Sequence, residues 1–210
     1  MGAPPDRIET TRLVVRCWEP RDARLLKEAV DASLDHLLPW MPWAQHEPQT
    51  LDEKVELLRR FRGEFDLGTN FVYGIFSPDE SRVLGGPGLH ERAGDDSFEI
   101  GYWLRASDTG RGLMTEAVAA LTVVGFRWGG VDRIDIRADT ANEPSLAVPR
   151  RLGYVEDATL RRRLPPIVEG ASPADASVFS MFADELAGSP AAGVSFTAYD
   201  AAERELKGAE

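Results

Sequence analysis

The chain has 210 residues, 43% hydrophobic and 28% charged, which suits one domain with a sizeable core. No apolar run approaches the ~20 residues of a membrane span. A net charge of −11 argues against a general nucleic-acid binder, which shows a basic stripe, and a single cysteine excludes an internal disulfide.

The N-terminus "MGAPPDRIETT" carries neither a secretory nor a myristoylation pattern, so a cytoplasmic protein without a membrane partner is expected. "RLVVRCW", Arg12–Trp18, alternates and is rich in valine, which predicts a strand. Cys17 within it reads as a buried filler, because a reactive thiol needs an electropositive and partly exposed setting. A helix is predicted from Arg21 to Leu38, with Pro20 near its start and Leu25, Leu26, Ala29, Val30, Leu34 and Leu37 on one stripe. The loop "PWMPWAQHEPQ" follows, and then a helix over Leu51–Phe65 capped by Thr50.

Three strands are predicted next, at Asn70–Phe76, Arg82–Glu91 and Ser97–Leu104. Pro87 inside the second implies a bulge or a locally unpaired position. A long helix covers Gly112–Trp128 and ends at Gly129-Gly130. Arg133–Ala138 is a strand, "NEPSLAVPRRLGY" a short helix ending at Gly153, and "YVEDATLRRRL" with "ASVFSMFADEL" a final antiparallel pair. Arg161-Arg162-Arg163 reads as a strand edge. The domain is assigned to residues 1–186, with 187–210 an extension: either a flexible tail or a short added strand and helix. The order describes a mixed α/β single domain, with too few helix crossovers for a doubly wound nucleotide fold.

The stretch "EIGYWLRASDTGRGLMTEAV" runs from strand through a glycine loop into the long helix. Unpaired amides at a helix N-terminus, with the helix dipole, suit an anion. Gly110, Arg111, Gly112, Leu113, Met114 and Thr115 supply the amides here, and Arg111 and Thr115 add a charge and a hydroxyl. The ATP/GTP loop fails, because Leu113-Met114 stand where Lys and Ser/Thr are required, and the dinucleotide pattern lacks a glycine. A plain glycine turn without a ligand stays open from the loop alone.

Taken together, "TTRLVVRCWEPRDA", "LPWMPWA", "EIGYWLRASDTGRGLMTEAV" and "NEPSLAVPRRLGY" resemble, in order and spacing, the GNAT superfamily of N-acetyltransferases. The resemblance is to its branch of RimJ/RimL-type ribosomal-protein N-terminal acetyltransferases, over Arg7–Leu186. It implies a single-domain GNAT fold, a mostly antiparallel sheet flanked by helices on both faces. It also implies acetyl-CoA as donor, with the loop holding the pyrophosphate. Thr109 and Met114 depart from the family's motif, and Met114 is expected to crowd the helix start.

The resemblance further implies direct attack of a primary amine on the thioester, with no covalent enzyme intermediate. The acceptor is then a protein N-terminus or a small amine, and a homodimer fits the branch. Main-chain groups of Trp103, Leu104 and Arg105 would contact the donor, Asn142 its pantetheine arm, and Ser145 would stand near the sulfur as a proton donor. Asn142 also suits a helix N-cap. Alternation places Glu99, Gly101 and Trp103 on one strand face, which makes Glu99 the preferred base. A solvated carboxylate is the alternative, with Asp95, Asp96 and His90 as nearby candidates. Trp40 and Trp43 are expected either to line the acceptor pocket or to plug the core. No metal site is expected. Pro149 should kink its helix and disturb Ser145, because it lacks the amide hydrogen that the Ser145 carbonyl would accept. Thr109, Met114 and Pro149 together support a competing reading, a catalytically weak acyl-CoA-binding module.

Overall fold

The structure is a computed structural model, and it describes residues 3–207 apart from Ala93, Asp95 and Glu169. Among the described residues nine strands form one sheet in the order β7-β8-β6-β5-β4-β3-β2-β1-β9. They are β1 (Arg7–Thr10), β2 (Val14–Cys17), β3 (Phe71–Phe76), β4 (Val83–His90), β5 (Ser97–Leu104), β6 (Arg133–Asp139), β7 (Val155–Leu164), β8 (Ala174–Phe182) and β9 (Phe196–Tyr199). The helices are α1 (Ala23–Asp31), α2 (Leu34–Leu37), α3 (Leu51–Asp66), α4 (Leu113–Val124) and α5 (Glu143–Leu152). Every strand pairing is antiparallel except β5 with β6.

Period-two alternation divides the sheet into two faces. Phe98 and Ile100 of β5 lie in the larger core with α4 and α5, whereas Trp103 packs on the smaller core with α1 and α3. Thr50 caps α3 with a full capping box: its side chain accepts from Glu53 N and the Glu53 carboxylate accepts from Thr50 N.

Several expectations are corrected. The predicted helix Arg21–Leu38 is two helices, because the α1 stripe ends at Ala32-Ser33 and the chain restarts at Leu34. The long helix is α-helical only to Val124, and its last turn, Gly125–Gly129, widens to a π turn before Gly130 in the left-handed region. Of the two expectations for Pro87 the locally unpaired position holds, since it pairs Tyr102 but has no register partner on β3, whereas the bulge of this strand pair falls between Ile75 and Phe76, where β4 carries an extra residue. The segment after Leu186 contributes β9, which pairs β1 and completes that edge of the sheet. β1 itself went unread, since four residues give little periodicity and its partners lie in distant sequence.

Candidate active site

The parallel pair at the centre of the sheet is short. β5 and β6 pair over Ser97–Glu99 and Arg133–Asp135 only, and beyond that no strand among the described residues faces the rest of β5 on this side. The main-chain groups of Gly101–Leu104 that point toward β6 therefore border an open seam. Such a seam suits a slender molecule that brings its own amide donors and acceptors.

α5 closes one side of the seam. Asn142 caps it, its Oδ1 accepting from Ser145 N at 3.2 Å. The expected kink at Pro149 is absent: α5 runs unbroken through Ser145–Leu152. The missing amide donor is replaced by Tyr102 of β5, whose hydroxyl donates to the Ser145 carbonyl at 2.9 Å. Ser145 Oγ in turn donates to the Tyr102 hydroxyl at 3.3 Å. Burial pushes the Tyr102 phenol up to about 12, so it stays a donor at neutral pH. Tyr102 had no reading of its own in the sequence; Pro149 was the signal for a compensating donor.

The glycine loop lies at the N-terminus of α4. Gly110 (φ 72°) and Gly112 (φ 74°) are both left-handed, a conformation that costs other residues about 1–2 kcal/mol. Met114 does not crowd this end: its side chain is buried in the larger core beside Leu113. Arg111 Nη1 donates to Asp108 at 2.8 Å, and the Arg111 carbonyl accepts from Arg12 Nη1 at 2.9 Å. Glu116 is neutralised by Arg12 at 2.6 Å, which removes a negative charge from the helix start. Thr109 bonds its own turn, donating to Ala106 O at 3.0 Å. The loop thus offers αL glycines and first-turn amides to an anion, while the Arg12 and Arg111 guanidinium groups beside it are paired to Glu116 and Asp108. Arg105 turns away to Glu28 of α1 at 2.6 Å, so its guanidinium is spent on the fold.

A cavity of about 800 Å³ is lined by Trp40, Trp43, Trp103, Glu99, Asn142 and Ser145, among others. It joins the seam to the α1–α3 side. Trp43 stands edge-on to Trp103 with ring centroids 5.9 Å apart, and Trp40 and Trp43 line the cavity rather than plug the core. Glu99 Oε2 accepts from Arg137 at 2.8 Å, and Oε1 carries no hydrogen bond among the described residues. Asp96 sits in the turn before β5, where its carbonyl accepts from Asp132 N; Asp95 lies outside the described residues. A buried ion pair, Lys54 with Glu47, also lines the cavity, and its side chains are 1% and 2% exposed. Neither Arg137 nor this pair was singled out from sequence, since each partner stands on a separate element or a loop. Cys17 is buried and its thiol is pushed up to about 12 by burial, which fits a filler. Among the described residues no His/Cys/Asp/Glu cluster suited to a metal ion occurs, and no helix is long and apolar enough to cross a membrane.

This architecture, a mostly antiparallel sheet opened beside a glycine-rich helix start, is that of an acyltransferase. Residues 12–155 match the acetyltransferase (GNAT) domain model, and the chain belongs to that family; it is an N-acetyltransferase. The [ribosomal protein uS5]-alanine N-acetyltransferase of Escherichia coli is 28% identical over 161 residues, 74% of this chain and 81% of its own. An uncharacterized N-acetyltransferase of Bacillus subtilis, YoaA, is 23% identical and spans 83% of this chain and 95% of its own. The structure of Mycobacterium smegmatis RimJ in complex with CoA-disulfide superposes with a TM-score of 0.76 at 26% identity, covering 90% of this chain and 92% of that one.

Proposed function

We propose that the protein transfers the acetyl group of acetyl-CoA to the α-amine of a protein N-terminus, with a ribosomal protein as the acceptor class. The observation that carries this reading is the single cavity running from Ser145 and Tyr102 past Glu99 to Trp40 and Trp43. Acetyl-CoA supplies a thioester carbonyl activated for attack. The amides of Gly110–Thr115 would hold its pyrophosphate, and Asn142 with the β5 main chain from Trp103 to Arg105 its pantetheine arm.

Glu99 takes the proton of the incoming ammonium through its unpartnered Oε1, while Arg137 fixes its other oxygen. Ser145, tied to Tyr102, gives its proton to the departing thiolate and is refilled by the second proton that the attacking nitrogen sheds as the amide forms. The weak binding-module reading loses two of its supports, since Met114 is buried and α5 is regular. Within the same reading the protein acts in the cytoplasm, as a homodimer, without nucleic-acid or membrane partners; sedimentation gives the mass.

The test is turnover of acetyl-CoA with N-terminal peptides of ribosomal proteins, set against free small amines, with mass spectrometry to locate the acetyl group. Acetylation confined to small amines, or absent with every amine despite tight donor binding, overturns the proposal.

A further inference from the structure

His90 ends β4 and is the register partner of Glu99, so the two side chains share the cavity face of the sheet. Its ring lies over a glycine floor. A methyl group built at Gly88 would stand 2.7 Å from Nε2, and one at Gly101 3.5 Å. The two glycines therefore make the space that the imidazole fills.

The tautomer of this ring follows from a chain of three residues on three elements. The Glu64 carboxylate can only accept, so the Asn70 amide turns Nδ2 toward it, at 2.9 Å. That orientation points Asn70 Oδ1 at His90 Nδ1, at 2.7 Å. A carbonyl oxygen also only accepts, so the hydrogen of the neutral ring sits on Nδ1. Nε2 is left with its lone pair over Gly88 and Gly101, on the face it shares with Glu99, and has no hydrogen-bond partner among the described residues. The ring lines the cavity.

We infer that His90 is a positioning residue for the acceptor: Nε2 accepts a hydrogen bond from the incoming amine and aims it, beside Glu99, at the seam. Two acceptors on one face suit an ammonium group, which has three donors and needs to surrender one proton to Glu99. The Glu64–Asn70 relay guarantees that His90 presents a lone pair rather than a competing N–H. Burial, with the Arg92 charge, holds the ring down at about 4, so this acceptor persists across neutral pH. The charged groups lining the cavity with it are Arg60 of α3, Arg92, Glu99, and Arg137 and Asp139 of β6; the Lys54–Glu47 pair is closed on itself. The inference rests on an amine entering this cavity, as proposed above.

The first measurement needs no acceptor. Long-range ¹H–¹⁵N spectra of the His90 ring in the intact protein at neutral pH should show a pyrrole-type Nδ1 and a pyridine-type Nε2. The Nε2–H tautomer, or an imidazolium, overturns the inference even if the enzyme turns over. The second uses an amine that the wild type acetylates. His90→Leu should raise the acceptor KM about tenfold or more, the worth of a charge-assisted bond, with the acetyl-CoA KM unchanged. His90→Gln, which can offer an amide oxygen, should recover part of the loss. Asn70→Asp keeps the ring but sets a carboxylate against Nδ1–H, so the acid limb of kcat/KM should move to higher pH. An unmoved acid limb in Asn70→Asp together with an unchanged acceptor KM in His90→Leu also overturns the inference. Loss of all acetyl transfer by the wild type would instead strike the proposed function, and the spectra would still decide the tautomer.

Discussion

Replacing Tyr102 by Phe removes one hydroxyl and should destabilise the protein through a helix that the hydroxyl does not belong to. The Ser145 carbonyl would ordinarily accept from the amide four residues on, but Pro149 stands there and has none. Tyr102 supplies the donor, at 2.9 Å. Deleting it loses one hydrogen bond and leaves a carbonyl inside the fold unpaired, together about 1–3 kcal/mol. Pro149→Ala restores an amide that can close the helical bond to the same oxygen. In that background Tyr102→Phe should therefore cost less, by about 1–2 kcal/mol of coupling. Urea melts of the four proteins give this term, and each kcal/mol should also appear as roughly 2–4 °C in Tm for a chain of this size. Equal costs of Tyr102→Phe in both backgrounds would refute the idea that the hydroxyl substitutes for the missing amide.

Glu99→Gln should lower the amine-dependent kcat about 10²–10⁴-fold, while acetyl-CoA binding measured by calorimetry stays intact. Gly112→Ala has room for its methyl, whose nearest neighbour would be Arg12 Nη2 at 3.7 Å, but must hold φ at 74°. It should therefore cost about 1–2 kcal/mol in a urea melt and raise the acetyl-CoA KM more than the acceptor KM. Glu47→Gln strands the buried Lys54 ammonium, and about 3–5 kcal/mol of stability should go with it. His90 titrates near 4 in the fold against ~6.5 unfolded. In that window the unfolded chain binds a proton that the fold excludes, so stability falls as pH drops from ~6.5 toward ~4, by up to about 3 kcal/mol. His90→Gln should flatten this part of the pH–stability curve, and a wild-type curve that matches the variant's would count against it.

The sequence was most readable where one element carries its own explanation. β5 runs over Ser97–Leu104 as expected, and its alternation places Glu99 and Trp103 together on the face where the structure has them. The same holds for Thr50 at the start of α3 and Asn142 at the start of α5, whose partners lie three residues away. Features that join distant segments were not readable. Pro149 announced a lost hydrogen bond, but its replacement comes from a strand 43 residues from Ser145. Met114 looked obstructive from its place in a motif, and only the helix phase shows it turned into the core. His90 read as one nearby candidate among several because Glu64 and Asn70 stand on neighbouring elements, and no local spacing links them to it.

The short pairing of β5 with β6 has a thermodynamic consequence. The six strands from β5 out to β9 and the three from β6 out to β7 meet across the sheet at only three residue pairs. A donor molecule lodged in the seam would supply the cross-links that a longer ladder gives other sheets. Part of its binding free energy would then appear as resistance of the whole sheet to unfolding, rising about 1.4 kcal/mol for each tenfold excess of donor over Kd. The amides bordering the seam should accordingly be the first to gain protection from hydrogen exchange when acetyl-CoA is added. In a cell, the rigidity of the protein would rise and fall with its supply of activated acetyl groups.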